Sequence, residues 1–304
     1  MSTIRAIGLV VYTYCVLEDR LEAIWNWFQE IEAWSGHTFS EYGFSPHGKV
    51  SRRVWKATHE NRMKLHDRLR EEQPWYVLSF GWPAGTLNSR AHITGGVDAW
   101  LKSQRQPWKG GAAYRSPSYI AVIAHSDLFG RADSADGFLQ LAASAWRLVD
   151  GVYGFVDVET GVPPQADLID NFDCLVSDLI PPRYLGEFQA WQDLMPHVDR
   201  RVWKAFWGNL LGAEHLRRLG GIEELRRTDA PLRRRLPEFE EQSYQEGLRI
   251  LRNCACYDRW LDLDNHGVLL AQSESPLSWY SHKGQQCRRD LDEALAKISL
   301  RADG

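Results

Sequence analysis

Apolar positions along the chain fall into two kinds of run. Short, nearly continuous stretches rich in β-branched and aromatic residues read as buried strands. These are Ala6–Tyr12, Trp75–Phe80, Ser118–Ala124 and Val152–Val158. Other stretches space their apolar residues by three and four, the period of a helix with one buried face. Leu21, Ile24, Trp25, Phe28 and Ile31 predict a helix over 20–35, with Asp19 as its cap and Gly36 as its stop. Phe138, Leu141, Ala142, Ala145, Leu148 and Val149 predict another over 134–149.

The remaining chain predicts less regular elements. A charged stretch over 51–72, ended by Pro74, reads as a helix. Gly, Pro and Asn around 81–96 read as irregular. The tract Trp203–Leu219, followed by Gly220-Gly221, reads as a helix with a glycine cap, and a further helix follows over 238–251. Residues 260–264 and 268–272 predict a hairpin around Asn265-His266-Gly267. Cys287, Leu291, Ala294, Leu295 and Ile298 predict a last helix over 285–299.

These elements predict an α+β fold of antiparallel sheets packed by helices. The turn-rich segment Gln106–Gly111 divides the chain into an N-terminal half, 1–110, and a C-terminal half, 111–304, unless both form one continuous globule. Each half opens with a strand and an amphipathic helix. The hexapeptide Arg52–Ala57 also recurs identically as Arg200–Ala205. Either the repeat is a coincidence of helix starts, or the halves are a diverged duplication.

Composition narrows the function. With 36 Lys+Arg against 40 Asp+Glu, the net charge of -4 gives no strong field for nucleic acid or an anionic membrane. No run reaches the ~18 apolar residues of a membrane span. The apolar start runs into Glu18-Asp19-Arg20 without a cleavage-like site, so the expected location is the cytoplasm. Five unevenly spaced cysteines fit reduced thiols rather than a disulfide framework. Aromatic residues are plentiful: 14 Trp, 11 Tyr and 11 Phe. Trp25, Phe28 and Trp203 fall where a core is expected. Trp82 and Trp108 fall in Gly/Pro-rich stretches and are candidates for a contact surface.

The search for chemistry returns weak sets. No phosphate-binding glycine loop, nucleophile elbow or H-E-x-x-H motif is present. Cys254-Ala255-Cys256, with Asp258, His266, His282 and Cys287 downstream, contains zinc-ligand types, but at a closer spacing than a zinc knuckle uses. Packed core thiols are the simpler expectation, with no metal or cofactor. Asp262, Asp264 and His266 alternate, so a strand would set them on one face as acid, base or ligand. The plainer expectation has Leu261, Leu263 and Val268 facing the core, the aspartates in water and His266 in the turn. His125 and Asp127, beside a strand end, form one more acid/base pair. The acidic tract Asp167, Asp170, Asp173 and Asp178, flanked by Pro163-Pro164 and Pro181-Pro182, offers a negative surface to a basic partner.

The C-terminal half, about residues 150–300, resembles a known family. Trp203–Gly212, then His215-Leu216 and Leu219-Gly220-Gly221, resembles a W-x-x-x-L…L-G-G tract of bacterial immunity proteins linked to type VI secretion. Val268–Leu277, followed by a Tyr and a terminal helix, is similar to that family's final strand and loop, and Tyr153-Gly154-Phe155 to its mid-chain strand. Family members often place Gly before the Pro-Leu, where this chain has Glu274-Ser275-Pro276. The resemblance implies a non-enzymatic inhibitor that binds a cognate toxin protein and neutralises it, with no role for nucleic acid or membrane. The competing expectation is an enzyme built around Asp262, Asp264 and His266.

Overall fold

The computed structural model describes residues 4–46, 53–71, 75–82, 93–98, 117–160, 197–202, 204–222, 236–254, 257, 259–272 and 275–299. The described strands are β1 (Ile4–Thr13), β2 (Glu41–Pro46), β3 (Arg53–Lys56), β4 (Trp75–Trp82), β5 (Ile93–Asp98), β6 (Ser118–His125), β7 (Tyr153–Thr160), β8 (Gly208–Leu211), β9 (Arg259–Leu263) and β10 (Gly267–Ala271). They form one ten-stranded antiparallel sheet in the order β3-β2-β4-β5-β6-β1-β7-β8-β10-β9. The fold is α+β. The sheet runs through both halves of the sequence: β6 lies between β5 and β1, and β7 takes the other side of β1.

The described helices are α1 (Leu21–Ser35), α2 (His59–Glu71), α3 (Ser134–Val149), α4 (Ala213–Leu219), α5 (Leu236–Arg252) and α6 (His282–Leu295). Strand alternation decides which of them each residue meets. Ile7, Leu9 and Val11 of β1 point to a core shared with buried residues of α1, α2 and α3. Val10 and Tyr12 point the other way, to a core shared with α4, α5 and α6. The central strands are therefore buried on both faces, which is why β1 and β6 read as continuous apolar runs.

Local chemistry sets the helix ends. In α1, Ile24, Trp27, Phe28 and Ile31 line the buried face, while Trp25 is half-buried against Tyr42 and His66. The Trp27 indole donates to the Leu141 carbonyl of α3 at 3.0 Å, satisfying its one polar atom inside the core. Gly36 closes α1 with φ +73° and an N–H bond to the Glu32 carbonyl at 3.0 Å, a left-handed cap suited to glycine. Asp19 is not the cap. It sits in a 3-10 turn, Leu17–Arg20, and Arg20 takes the cap position.

Three predicted elements are corrected. The expected helix over 51–72 is a strand, β3, followed by α2 from His59. Pairing of Tyr42 with Trp55 on one side of β2 overrides the helical charge pattern. The irregular stretch 81–96 contains the end of β4 and the start of β5. Gly95 and Gly96 are flanked by β4 and β6, so neighbours on both sides hold a glycine-rich segment extended. The tract 203–219 is not one helix. Gly208–Leu211 is a strand between β7 and β10, and only Ala213–Leu219 is helical. Asn209 holds the turn before that strand, accepting from Phe206 N and donating to Phe206 O.

The repeated hexapeptides occupy different settings. Arg53–Lys56 is an edge strand. In the second copy, Val202 makes an isolated parallel bridge to Ser299. Asn61 and Asn209 stand at the same distance after the two hexapeptides, yet Asn61 lies on α2 and Asn209 on β8.

Candidate functional site

The sequence-predicted site residues that the structure describes do not gather at one place. Asp167, Asp170, Asp173, Asp178 and Trp108 lie outside the described residues, as do Cys256 and Trp203. Trp82, at the end of β4, is half-buried and stacks flat on His37, with ring centroids 3.8 Å apart and planes 8° apart. His125 and Asp127 form a pair at 3.2 Å beside the end of β6, with Asp127 largely exposed.

Asp262, Asp264 and His266 surround the β9–β10 turn, and all three are exposed. Asp262 accepts the Trp260 indole N–H at 2.9 Å. The Asp264 carbonyl accepts the Trp146 indole at 3.2 Å, which ties the turn to α3. His266 turns away, with φ 58°, and meets Tyr244 edge-on at 5.6 Å. Leu261 and Leu263 pack on the first core, whereas Val268 packs on the second. Burial, followed by the Asp262 and Glu241 carboxylates, pushes the Tyr244 phenol up.

The described thiols are packed or hydrogen-bonded. Cys254 is buried, with its Sγ 3.8 Å from the Ile250 carbonyl, and burial pushes its thiol up. Cys287 is buried and accepts from Gln272 Nε2 at 3.5 Å. Cys15 is half-buried beside Asp150 and Arg20, and burial followed by the Asp150 contact raises its thiol. Among the described residues, no three His, Cys, Asp or Glu side chains gather as a metal site. No described helix is long and apolar enough to cross a membrane.

A contact surface is better built elsewhere. Between β10 and α6 the chain forms a 3-10 turn, Pro276–Ser278, and two large apolar residues in and after it, Leu277 and Tyr280, stay partly exposed. Leu277 is 39% exposed and Tyr280 37% exposed, while Trp279 between them is 1% exposed. Hydrogen bonds stiffen the turn. Ser275 Oγ accepts from Leu277 N at 3.3 Å, and Ser278 Oγ donates to Ser275 O at 2.8 Å. Ser281 caps α6 by accepting from Gly284 N at 3.1 Å, and Gln285 Nε2 donates to Trp279 O at 3.1 Å. Tyr280 donates its hydroxyl to the Val158 carbonyl of β7 at 3.0 Å, which fixes the ring of this partly exposed residue. A fixed, exposed ring loses little side-chain entropy on binding, which is the character of an interface anchor.

No family model matches the chain, and no curated protein matches its sequence. A solved structure does match its fold. It is the Pseudomonas aeruginosa T6SS protein PA0821, a type VI secretion system protein. The match has a TM-score of 0.56 at 11% identity, over 98% of this chain and 74% of that one. At that identity the likeness concerns the fold: the sheet and its helices, not individual side chains.

The sequence carried a partial signal for the Leu277–Tyr280 turn. Ser275-Pro276-Leu277 falls within Val268–Leu277, which resembles the immunity family, but the sequence there shows only a polar break, Gln272–Ser275, between two apolar stretches. Only the packing of Trp279 beneath the turn separates buried rings from presented ones.

Proposed function

We propose that this chain is an immunity protein of a type VI secretion system, which binds a cognate toxin in the cytoplasm and neutralises it without chemistry of its own. The observation that carries the reading is the fold likeness to a T6SS protein over 98% of the chain. It agrees with the resemblance of residues 150–300 to immunity proteins. The Leu277–Tyr280 turn supports it as a rigid, partly apolar anchor, and the acidic sequence tract Asp167, Asp170, Asp173 and Asp178 would steer a basic toxin. Thiols without a disulfide at Cys15 and Cys254 fit a reducing compartment.

Expression of the neighbouring open reading frame with and without this chain tests the proposal. Growth arrest by the neighbour alone, relieved by this protein, is the expected result. A harmless neighbour, or one that still kills beside soluble protein, overturns it. Leu277→Asp and Tyr280→Ala should each weaken the complex at least about tenfold while the protein stays folded. Asp264→Asn with His266→Ala should leave protection intact, because binding rather than catalysis protects.

A further inference from the structure

The two ends of the sheet differ in how they meet solvent. β3 ends in Lys56, which is exposed, and an outward lysine blunts a strand edge against further pairing. β9 has no lysine or proline, and its outer row of backbone N–H and C=O groups takes no strand partner among the described residues. Trp260 and Leu261 at that edge are only half-buried. The strand is flanked on one side by α3, where Arg259 meets Asp136 at 3.3 Å. On the other side Arg252 of α5 lies over the Trp260 ring at 5.2 Å.

We propose that β9 pairs antiparallel with the β9 of a second copy, making the protein a two-fold dimer whose sheet is continuous across the interface. Two-fold symmetry requires that residue i of one strand oppose residue j of the other while j opposes i. Directly opposed residues must also share a face. A register centred on Leu261 satisfies both and pairs all five residues of the strand: Arg259 with Leu263, Trp260 with Asp262, and Leu261 with its own copy. A slip centred on Asp262 sets that carboxylate against itself and leaves fewer residues paired. In the Leu261 register, each Asp262 lies opposite the other copy's Trp260, over which Arg252 sits. The charges are therefore complementary twice, once on each side of the axis. The surface selects a copy of itself because both halves of the charge pair are on it.

Sedimentation velocity of the intact protein over a micromolar concentration series is the test. The expected species has twice the 35.0 kDa chain mass. Asp262→Arg sets two cations together across the axis, and Arg252→Asp sets two carboxylates together. Each should raise the dimer dissociation constant at least about tenfold, with thermal unfolding showing that the variant is folded. Mixing the two defective variants should restore a dimer, because only the heterodimer has both pairs matched. A wild-type monomer at every concentration overturns the proposal, as does a dimer indifferent to both substitutions or one that mixing does not restore. No toxin enters the measurement, so its failure is separate from failure of the immunity reading.

Discussion

The N-terminal and C-terminal wings of the sheet finish alike in one respect and differently in another. At each edge a half-buried tryptophan lies under an arginine, Trp55 under Arg68 at 5.5 Å and Trp260 under Arg252 at 5.2 Å. The cover behind those edges differs. The first core runs beneath α1, α2 and α3 from β2 to β9. The second core, beneath α4, α5 and α6, gathers on β1, β6, β7, β8 and β10, with Trp260 of β9 packed against it. The C-terminal wing is thus held from both sides by described helices. That provides a stiff base for the Leu277–Tyr280 turn and leaves the β9 edge as the open direction.

The largest effect that can test this difference lies in the second core. Phe206 is 1% exposed and stacks on Phe155 at 4.2 Å, so Phe206→Ala should cost about 3–5 kcal/mol in chemical denaturation. Hydrogen exchange should then show the loss first in β7–β10. Equal loss in β2–β5 would break the comparison.

Next is the contact of α4 with α5. A Cβ at Gly247 would stand 2.1 Å from the Leu216 carbonyl oxygen, so Gly247→Ala must push the helices apart, at a cost of about 3 kcal/mol. Gly130→Ala, where nothing lies within 4 Å, is the control and should unfold near the wild-type midpoint.

A comparable effect is conditional on pH. His215 on α4 is fully buried, with Nε2 3.2 Å from the Arg201 carbonyl and its ring against Tyr153. Burial holds its pKa at about 4, below the ordinary 6.5, against smaller opposing contributions from the Arg201 bond and the Asp199 and Glu214 carboxylates. The unfolded chain therefore takes up this proton first. Stability is intact above pH 6.5 and falls as the pH drops from 6.5 towards 4, by about 3 kcal/mol from this group. His215→Leu should remove that part of the acid sensitivity. Identical pH profiles for wild type and variant would contradict it.

Smaller effects are expected in the N-terminal wing. Glu32 accepts from Phe39 N and from Arg62, each at 2.6 Å, and both side chains are mostly buried. Glu32→Gln should cost about 1–2 kcal/mol by thermal unfolding, since charge-assisted bonds outweigh neutral ones. Lys64→Ala, which removes an exposed pair with Glu60, should leave the unfolding midpoint unchanged.

Legibility followed range. α1, α3, α5, α6, β6, β7 and the β9–β10 hairpin were readable because their periodicity or turn residues act within a few positions. β3, β5 and β8 were not, because each is short and owes its form to strands distant in sequence. Arg53–Lys56 has helix-compatible neighbours, Gly95-Gly96 is a loop signal, and Gly208–Leu211 continues an apolar tract. The expected core tryptophan of α1 moved from Trp25 to Trp27 for a similar reason. Trp25 and Trp27, two positions apart, both read as hydrophobic, and packing against α3 decides that Trp27 is the fully buried one.

The sequence by itself determined an α+β protein without a strong charge bias, with no catalytic motif of a familiar kind and with a C-terminal half resembling immunity proteins. Those properties depend on composition and on local pattern. The tertiary structure alone decided that β1 and β6 lie at the centre of one sheet spanning both halves. It also separated Leu277 and Tyr280 from the buried Trp279 and left β9 at an open edge. Exposure and adjacency are properties of the folded surface, set by contacts between residues more than a hundred positions apart, and no local pattern encodes them.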